Sequence, residues 1–362
     1  MEFIAQTKNI YNRLEDNLSK TIFENRLLYS LTDNIDFIKN VAAFTCSNIE
    51  KYKDKMNSLY AEYDNIIVYG AGHVGLIFLL LCDKIKVTAF CDSDKTKQGK
   101  LFYGYSVISP EELKEQYPDS TVIVTTYSKI IFKEIEKILL ELSFKNDRIL
   151  NLMYAFNECK IWDIYSNLVK EAYFDSDIIL SQLTENETFI DAGSLDLTTS
   201  IYFAEKSNYK YKEIIAFEPN PVQFPVCVDA SKANENVKIY PYGLWNENTK
   251  LSFYNSGDAG GARIIKEPSE NTQIVNVVSL DNILDGEKAS FIKMDVEGAE
   301  LTALIGAKET IKKYHPKLAI SLYHKPEDIW EIPSYILPLN NEYKIYIRHY
   351  TLYRNETVLY AV

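Results

Sequence analysis

The sequence is poor in several residue types that define whole classes of proteins. It contains five cysteines, four histidines and three tryptophans in 362 residues, and the cysteines are scattered without a C-x-x-C pair. An odd number of scattered cysteines favours neither a disulfide framework nor a zinc knuckle. A reducing cytoplasm is therefore the expected compartment.

Long apolar runs and an excess of positive charge are also missing. The longest apolar run, Leu76 to Cys82, is far shorter than the roughly 20 residues that cross a bilayer, and the first residues lack a basic and apolar signal pattern. The formal net charge is −12, whereas a surface that grips nucleic acid needs clustered lysine and arginine. We therefore expect neither membrane insertion nor a nucleic-acid partner.

What the sequence does contain is an alternation of strand and helix patterns that occurs in two places. This alternation predicts an α/β protein with two doubly wound units, one of them small and Rossmann-like. The charged N-terminal helices are interpreted as a docking or oligomerisation segment, so a homo-oligomer is allowed. The predicted divisions are a helical segment 1–60, the small Rossmann-like domain 61–150, a helical connector 151–185 and a larger α/β domain 186–362.

The first unit opens with a glycine-rich turn between a strand and a helix. Gly70, Gly72 and Gly75 match G-x-G-x-x-G, and Asp92 ends the next strand. Such glycines let the backbone approach a pyrophosphate while the acid binds ribose hydroxyls, but they are equally needed to pack a helix on a sheet. With the later segment 104–110, this stretch resembles the N-terminal nucleotide-binding domain of bacterial sugar acyltransferases. A nucleotide site and a purely structural turn both remain open.

The second unit has seven predicted strands and two extra β segments. Its last two strands follow one another without a helix, so they are expected to pair antiparallel beside an otherwise parallel sheet. The extra segments are Leu251–Tyr254 and Gln273–Val278. The seven strands are Thr188–Ala192, Glu213–Phe217, Val237–Pro241, Ser290–Met294, Lys317–Leu322, Tyr343–Ile347 and Thr357–Val362.

Two neighbouring strands of this unit end in acids. Asp191 is followed by Gly193 and Ser194, and Glu218 ends the next strand, 27 residues later. The glycine lets the chain turn close to a ligand, Asp191 can orient an ammonium group, and Glu218 can accept two hydrogen bonds from a ribose diol. The carboxyl ends of parallel strands share one edge, so these groups are expected to line one crevice.

A third strand ends in the densest group of acids. Asp295, Glu297 and Glu300 surround Gly298 directly after a buried strand. Such a concentration is costly in a hydrophobic core and is typical of a site for a cationic ligand or a polar acceptor. The alternative is that Glu297 and Glu300 only favour the N-terminus of the next helix.

These motifs resemble the FkbM family of S-adenosylmethionine (SAM)-dependent methyltransferases. The resemblance implies a class I methyltransferase fold, SAM as the cofactor and, usually, O-methylation of a hydroxyl in a glycan or natural product. It implies cofactor contacts from Asp191, Gly193, Ser194, Asp196, Glu218 and Asp295. The matching segments are 191–193, 216–219, 278–281, 292–300, 304–307 and 323–325, of which Lys293-Met294-Asp295-Val296-Glu297-Gly298-Ala299-Glu300 is the most specific.

One residue departs from the family pattern. Leu197 stands where a second glycine is common, and its side chain is expected to crowd the methionine part of the cofactor. Asp196 and Thr198 still offer polar contacts there. This departure keeps open an inactive nucleotide-binding scaffold with degenerate α/β domains.

The acceptor side needs a group that removes a proton as the methyl group arrives. His324, after the fifth strand, is the candidate general base because its ordinary pKa suits the task; Asp295 or Glu297 is the competing base. A histidine merely hydrogen-bonded at a strand end is the alternative for His324. Tyr323 and His349, near the strand ends, are candidate acceptor contacts.

The loop between the extra β segments is the natural place for an acceptor lid. Asn255, Gly260, Gly261 and Arg263 lie on it, and Arg263 is a candidate substrate contact. The expected acceptor is a small molecule or glycan, including a nucleotide-linked sugar. Asp295, Glu297 and His324 could also gather a divalent ion such as magnesium that polarises a sugar diol. No fixed ligand spacing supports a metal, so none is predicted.

Three functions compete at this point. A methyltransferase that modifies surface or flagellar glycans, by O- or N-methylation, explains the acids at the strand ends. The inactive scaffold explains Leu197. A NAD-dependent oxidoreductase explains only the turn at Gly70, and it leaves the second unit without a role.

Overall fold

The computed structural model describes residues 2–45, 49–161, 169, 171–254, 263–265 and 272–362. The chain forms two compact units. One contains Met1–Leu31, Leu168–Tyr350 and Arg354–Val362, and the other contains Thr32–Asn167 and Thr351–Tyr353. The helical segment predicted over 1–60 is thus divided between them.

Fourteen α-helices lie in the described residues, together with 3-10 turns at Asn146–Arg148 and Leu180–Gln182. No described helix is both long and apolar enough to span a bilayer. The helices are α1 Glu2–Arg13, α2 Asn17–Thr32, α3 Ile35–Thr45, α4 Ile49–Tyr60, α5 His73–Leu81, α6 Pro110–Gln116, α7 Lys129–Glu141, α8 Leu152–Cys159, α9 Thr198–Lys206, α10 Phe224–Ser231, α11 Leu280–Leu284, α12 Glu300–Ile305, α13 Lys308–Tyr314 and α14 Asp328–Ile336.

The smaller unit is built on a six-stranded sheet with the order β3-β4-β2-β1-β5-β6. Its strands are parallel except for the short β3–β4 pair. This confirms the predicted doubly wound arrangement, although the sequence reading missed β3, β4 and β6. The strands are β1 Ile66–Tyr69, β2 Val87–Cys91, β3 Leu101–Phe102, β4 Tyr105–Ile108, β5 Thr121–Val124 and β6 Ile149–Asn151.

The larger unit is built on a seven-stranded sheet with the order β16-β17-β15-β14-β7-β8-β9. Five strands run parallel, and β17 lies antiparallel between β15 and β16. The predicted, mostly parallel sheet that ends in an antiparallel hairpin is therefore confirmed. The strands are β7 Thr188–Ala192, β8 Glu213–Phe217, β9 Val237–Tyr240, β14 Phe291–Met294, β15 Lys317–Ser321, β16 Ile345–His349 and β17 Thr357–Ala361.

A small second sheet in the same unit has the order β10-β13-β11-β12. It contains both extra β segments that the sequence predicts, paired antiparallel. Its strands are β10 Gly243–Leu244, β11 Thr249–Tyr254, β12 Arg263–Ile265 and β13 Thr272–Val278.

Aromatic side chains fill the layer between the large sheet and α9. Phe189, Phe203 and Phe291 are fully buried, and the rings of Phe189 and Phe203 stack with centroids 4.4 Å apart. Buried aromatic pairs of this kind add to the stability that area burial alone supplies. This layer packs α9 against β7 and β14.

The outer strand β16 is covered by the start of the chain. The backbone amide of Glu15 donates to the carbonyl of Ile345 at 3.0 Å, and the Arg348 guanidinium contacts Asp16 at 2.6 Å. An edge strand without such cover would present unpaired backbone groups to other chains. The N-terminal helices α1 and α2 therefore complete the larger unit.

A buried carboxylate at the start of β7 offers a stability test. The Glu187 side chain is 1% exposed beside Lys317, whose Nζ lies 3.0 Å away, and Ser290 donates a hydrogen bond to it. Burial alone would raise the pKa of Glu187, but Ser290, the Thr184 amide and Lys317 lower it below its ordinary value. The stability that this carboxylate contributes is therefore present above its unfolded-state pKa and is lost as the pH falls through the lowered value.

We expect Glu187→Gln to lower the free energy of unfolding by about 2 kcal/mol at pH 7. The deficit should shrink below the unfolded-state pKa of about 4.3, because the wild-type carboxyl then also becomes neutral. Urea unfolding at pH 7 and in acid measures both values. Glu185→Gln is the control, since it breaks only the exposed pair with Lys210; an equal loss for Glu187→Gln at both pH values would contradict the expectation.

Candidate functional site

The candidate site lies where four neighbouring parallel strands of the large sheet end. Across these strands Ala192 pairs with Met294 on one side and with Phe217 on the other, and Met294 pairs with Ile320. The residues that follow each strand therefore share one edge of the sheet. Asp295, Gly193 and Glu218 are three of them, as the sequence predicts.

Gly193 permits the close approach of two of these strand ends. Its φ is +76°, and a Cβ atom there would lie 1.9 Å from the backbone oxygen of Asp295. No other residue avoids both the left-handed strain and this overlap. The loop after β7 can thus lie directly against the loop after β14.

A buried ion pair crosses the two central strands. Lys293 and Asp191 are register partners on β14 and β7; their side chains are 2% and 0% exposed, with Nζ 3.0 Å from Oδ1. Lys293 also donates to the Gly193 carbonyl at 2.8 Å, and Ser200 donates to the other Asp191 oxygen at 2.7 Å. Burial opposes the charge on Lys293, but Asp191 and Asp295 raise its pKa above the ordinary value.

A pocket of about 520 Å³ opens beside this ion pair. Four of the six predicted cofactor residues line it, namely Gly193, Ser194, Asp196 and Asp295. The first residues of α9 also line it, so the positive end of that helix faces the pocket. Asp191 is not among the lining residues, because Lys293 and Ser200 engage its carboxylate beneath the surface.

Glu218 is the other predicted cofactor residue that does not line the pocket. It is 6% exposed, and its carboxylate accepts hydrogen bonds from the backbone amides of Leu195 and Asn220, each at 2.8 Å. Burial raises its pKa above the ordinary value. Glu218 therefore fixes the shape of the loop that lines the pocket.

Leu197 does not crowd the pocket, contrary to the expectation from the sequence. Its side chain is 1% exposed and packs with Ala216 and Cys227 in a small core cluster. Its φ is +69°, a left-handed conformation that costs a non-glycine residue about 1–2 kcal/mol. The buried contacts of the leucine side chain offset that strain, and the pocket stays open.

The three predicted catalytic residues come together around His324. Its Nε2 atom lies 3.4 Å from Oδ1 of Asp295 and 3.5 Å from Oε2 of Glu297, and its Nδ1 atom lies 2.9 Å from Oε1 of Glu300. Burial alone would lower the pKa of His324, but Glu300, Asp295 and Glu297 raise it to about 10. His324 is consequently an imidazolium near neutral pH and cannot accept a proton there.

Glu300 has a structural task in addition to its contact with His324. Its side chain is 0% exposed, and it accepts a hydrogen bond from the backbone amide of Val296 at 2.8 Å. This holds the tight loop after β14, in which Glu297 has a φ of +53°. Glu300 therefore belongs to the acidic cluster and also stabilises the backbone just before the next helix.

Hydroxyl groups connect Asp295 to a carboxyl that the sequence did not reveal. The Tyr323 hydroxyl lies 3.0 Å from Asp295 and 3.2 Å from Glu356, so its single proton serves one of them at a time. Ser321 donates to Asp295 at 3.2 Å, and the hydroxyls of Ser321 and Tyr173 are 3.1 Å apart. Burial and the charge of Asp295 raise the pKa of Glu356 to about 8.

The remaining predicted acceptor contacts are not gathered at the pocket. His349 is 4% exposed, and its Nδ1 atom lies 2.8 Å from the Thr357 hydroxyl. The backbone of Arg263 pairs with that of Tyr254 in the small sheet, and its side chain lies outside the described part of the chain. Asn255, Gly260 and Gly261 lie outside it as well.

In the smaller unit, the glycines of the turn serve packing. A Cβ at Gly70 would lie 2.5 Å from Oγ1 of Thr125, and one at Gly75 would lie 2.3 Å from the Gly70 carbonyl oxygen, whereas Gly72 faces open space. Asp92 accepts a hydrogen bond from the Ala71 amide at 2.9 Å and pairs with Lys97. Asp92 therefore accepts a hydrogen bond from the turn itself, which agrees with the interpretation of this motif as a purely structural turn.

Sequence reasoning missed Lys293, Tyr173 and Glu356, all of which line the pocket. A lysine in the middle of an apolar strand was a usable signal, because a buried ammonium needs a carboxylate partner. Tyr173 and Glu356 carry no comparable signal. They come from segments far away along the chain, and only the folded structure brings them to Asp295.

Residues 191–349 match the family model of the methyltransferase FkbM domain. Residues 62–150 match the model described as C2185-like, N-terminal. None of the curated proteins compared with the chain matches it. Residues 191–349 of the larger unit are therefore similar to an FkbM methyltransferase domain, and this match supports SAM as the cofactor. The likeness of the smaller unit to sugar acyltransferases stays a prediction.

Solved structures of methyltransferases show some similarity. The FkbM methyltransferase of Methylobacillus flagellatus KT aligns with a TM-score of 0.49 and 18% identity over 87% of this chain and 98% of its own. A SAM-dependent methyltransferase of Aquifex aeolicus aligns with a TM-score of 0.32 and 16% identity over 54% and 96%. Fibrillarin of Aeropyrum pernix, with SAM bound, aligns with a TM-score of 0.32 and 10% identity over 53% and 73%.

Proposed function

We propose that this protein is a SAM-dependent O-methyltransferase whose acceptor is a hydroxyl of a sugar or sugar-linked molecule. The observation that carries the proposal is the pocket beside Asp295, bounded by the loop after β7 and the start of α9. Its volume of about 520 Å³ is within the range of roughly 300–1,000 Å³ for small-molecule sites. The FkbM domain match over 191–349 supports the same activity.

The pocket has groups that favour negative charge and groups that favour positive charge, as a cofactor with an amino-acid part requires. The backbone amides at the start of α9 and the ammonium of Lys293 favour a carboxylate. Burial would raise the pKa of Asp295, but His324 and Lys293 hold it below the ordinary value, so this residue stays ionised. Asp295, which lines the pocket, would thereby stabilise a positive charge on a cofactor bound there.

SAM, when bound, supplies a methyl group whose bond to sulfur breaks as the acceptor oxygen bonds to its carbon. The chain must therefore hold the acceptor oxygen beside Asp295 and take its proton. His324 carries a proton already and so donates a hydrogen bond to the acceptor. Glu297, 3.5 Å from Nε2 of His324 and 36% exposed in its side chain, accepts the proton and passes it to water.

Calorimetric titration of the full chain with SAM, S-adenosylhomocysteine and NAD tests the proposal. We expect SAM and S-adenosylhomocysteine to bind once per chain with a micromolar Kd, and NAD not to compete. Thr198→Trp should weaken this binding at least tenfold, because Thr198 lines the pocket and is exposed. Lys312→Trp, an exposed position on α13 that does not line the pocket, is the matched control.

Transfer is then measured with SAM carrying a labelled methyl group and a panel of sugars and nucleotide sugars. Label in an ether linkage supports the O-methyltransferase, and label on an amine would correct the acceptor atom. If neither SAM nor S-adenosylhomocysteine binds, the inactive scaffold replaces the proposed function. Binding of NAD alone would favour the oxidoreductase.

A further inference from the structure

Three side chains behind the rim of the pocket approach one another closely enough to share an ion. Asp295, Glu300 and His324 each present one potential ligand atom, and these atoms lie within 4.8 Å of one another. Two carboxylate oxygens and an imidazole nitrogen form a donor set that binds divalent metal ions. Binding would displace the proton from the ligating nitrogen of His324 to water, because a metal ion binds the imidazole and not the imidazolium. Asp295 and His324 come after the paired strands β14 and β15, and Glu300 begins α12.

Buried atoms in this cluster have unmet bonding capacity. Oε2 of Glu300 is buried and makes no hydrogen bond with any described residue, and Nδ1 of His324, although it lies 2.9 Å from Oε1 of Glu300, makes no hydrogen bond of good geometry. The His324 side chain is 10% exposed and the Glu300 side chain 0% exposed. An orphaned polar atom in such a place costs about 1–3 kcal/mol, so these atoms indicate a ligand that would satisfy them.

The charges around the cluster also favour a cation. His324 faces the carboxylates of Asp295, Glu297 and Glu300, and Asp328 is a further buried acid of the same region, 3% exposed. Lys293 also attracts Asp295, but it is paired with Asp191, so carboxylates still outnumber cations among these residues. A divalent ion would neutralise two of them in a partly desolvated place where the repulsion is strong.

We propose that Asp295, Glu300 and His324 bind a divalent metal ion of the manganese or magnesium type. The mixed oxygen and nitrogen donors suit such an ion better than a soft metal, which selects thiolates. Glu297 lies outside the three and keeps its proposed role towards the acceptor. A role of the ion in polarising the acceptor hydroxyl rests on the proposed function, whereas its binding does not.

The test titrates Mn²⁺ into full-length protein stripped with a chelator, without SAM, and follows heat and the electron paramagnetic resonance of free Mn²⁺. We expect one ion per chain and a rise in melting temperature, since the ion binds the folded state. Asp295→Asn and His324→Phe should each weaken binding at least tenfold. His315→Asn removes an exposed histidine elsewhere and should leave binding unchanged.

The results of these titrations test the metal site independently of the enzyme activity. Equal Mn²⁺ affinity in wild type, His324→Phe and Asp295→Asn would overturn the proposed site, as would no binding at millimolar Mn²⁺. Circular dichroism of each variant shows whether it has folded. If one variant unfolds, the Mn²⁺ affinity of the other still shows whether these residues bind the ion. If both unfold, the wild type is used alone, and no rise in its melting temperature with Mn²⁺ would overturn the proposal. SAM binding is measured separately, so a failed methyltransferase proposal would not be mistaken for a missing metal site.

Discussion

Lys293→Met should destabilise the larger unit by about 3–5 kcal/mol, because it leaves the carboxylate of Asp191 buried without its partner. The methionine fills most of the space of the lysine stem. The loss of stability would therefore come from the missing charge and not from a cavity. The variant also removes the hydrogen bond to the Gly193 carbonyl, which helps shape the pocket wall. We therefore expect SAM affinity to fall at least tenfold as well, measured on protein that is still folded at low temperature.

The double variant Asp191→Asn with Lys293→Met is the control for this interpretation. It removes both charges, so it should recover more than half of the lost free energy of unfolding. Urea unfolding of wild type, both single variants and the double variant gives the coupling energy between the two side chains. A coupling energy near zero would mean that the two charges do not stabilise one another.

This pair illustrates what the sequence could have revealed. The runs Phe189–Ala192 and Phe291–Met294 identify two buried strands, and each contains one charged residue in its last two or three positions. Once the two strands are placed side by side with their ends level, Lys293 and Asp191 become partners. The motif alone predicts that Asp191 contacts a ligand, because it leaves out the residue of the neighbouring strand that faces it.

The strands β7, β8 and β14 were predictable because each is a short apolar run followed by an acid or a glycine. The order of the last strands was not, since β17 pairs with both β15 and β16 and no local pattern determines which strand lies at the edge. That order carries Glu356, which precedes β17, to the side of Tyr323. The hydroxyl network at Asp295 therefore depends on tertiary pairing.

The charge of His324 could not be read from the sequence either. A lone histidine after a strand suggests a general base with a pKa near neutrality. Its actual surroundings, with Glu300 on one ring nitrogen and Asp295 and Glu297 on the other, favour the protonated ring. The proposed proton acceptor moves from His324 to Glu297 for that physical reason.

Glu297→Gln should lower kcat by about 10²–10⁴-fold, the usual contribution of a general base, with little change in the Kd of SAM. The amide keeps the size and hydrogen-bonding shape of the side chain but cannot take a proton at neutral pH. Glu297 does not line the cofactor pocket, in contrast to Asp295, so a change confined to kcat is the expected signature. Steady-state rates with labelled SAM, together with calorimetry, measure both quantities.

Glu309→Gln is a matched control, because Glu309 is an exposed glutamate of the same unit and should leave kcat unchanged. The pH profile distinguishes the two candidate bases. If His324 accepted the proton, kcat of the wild type would keep rising towards pH 10, where that imidazolium loses its proton. A profile of this shape, combined with near-normal kcat in Glu297→Gln, would return the role of general base to His324.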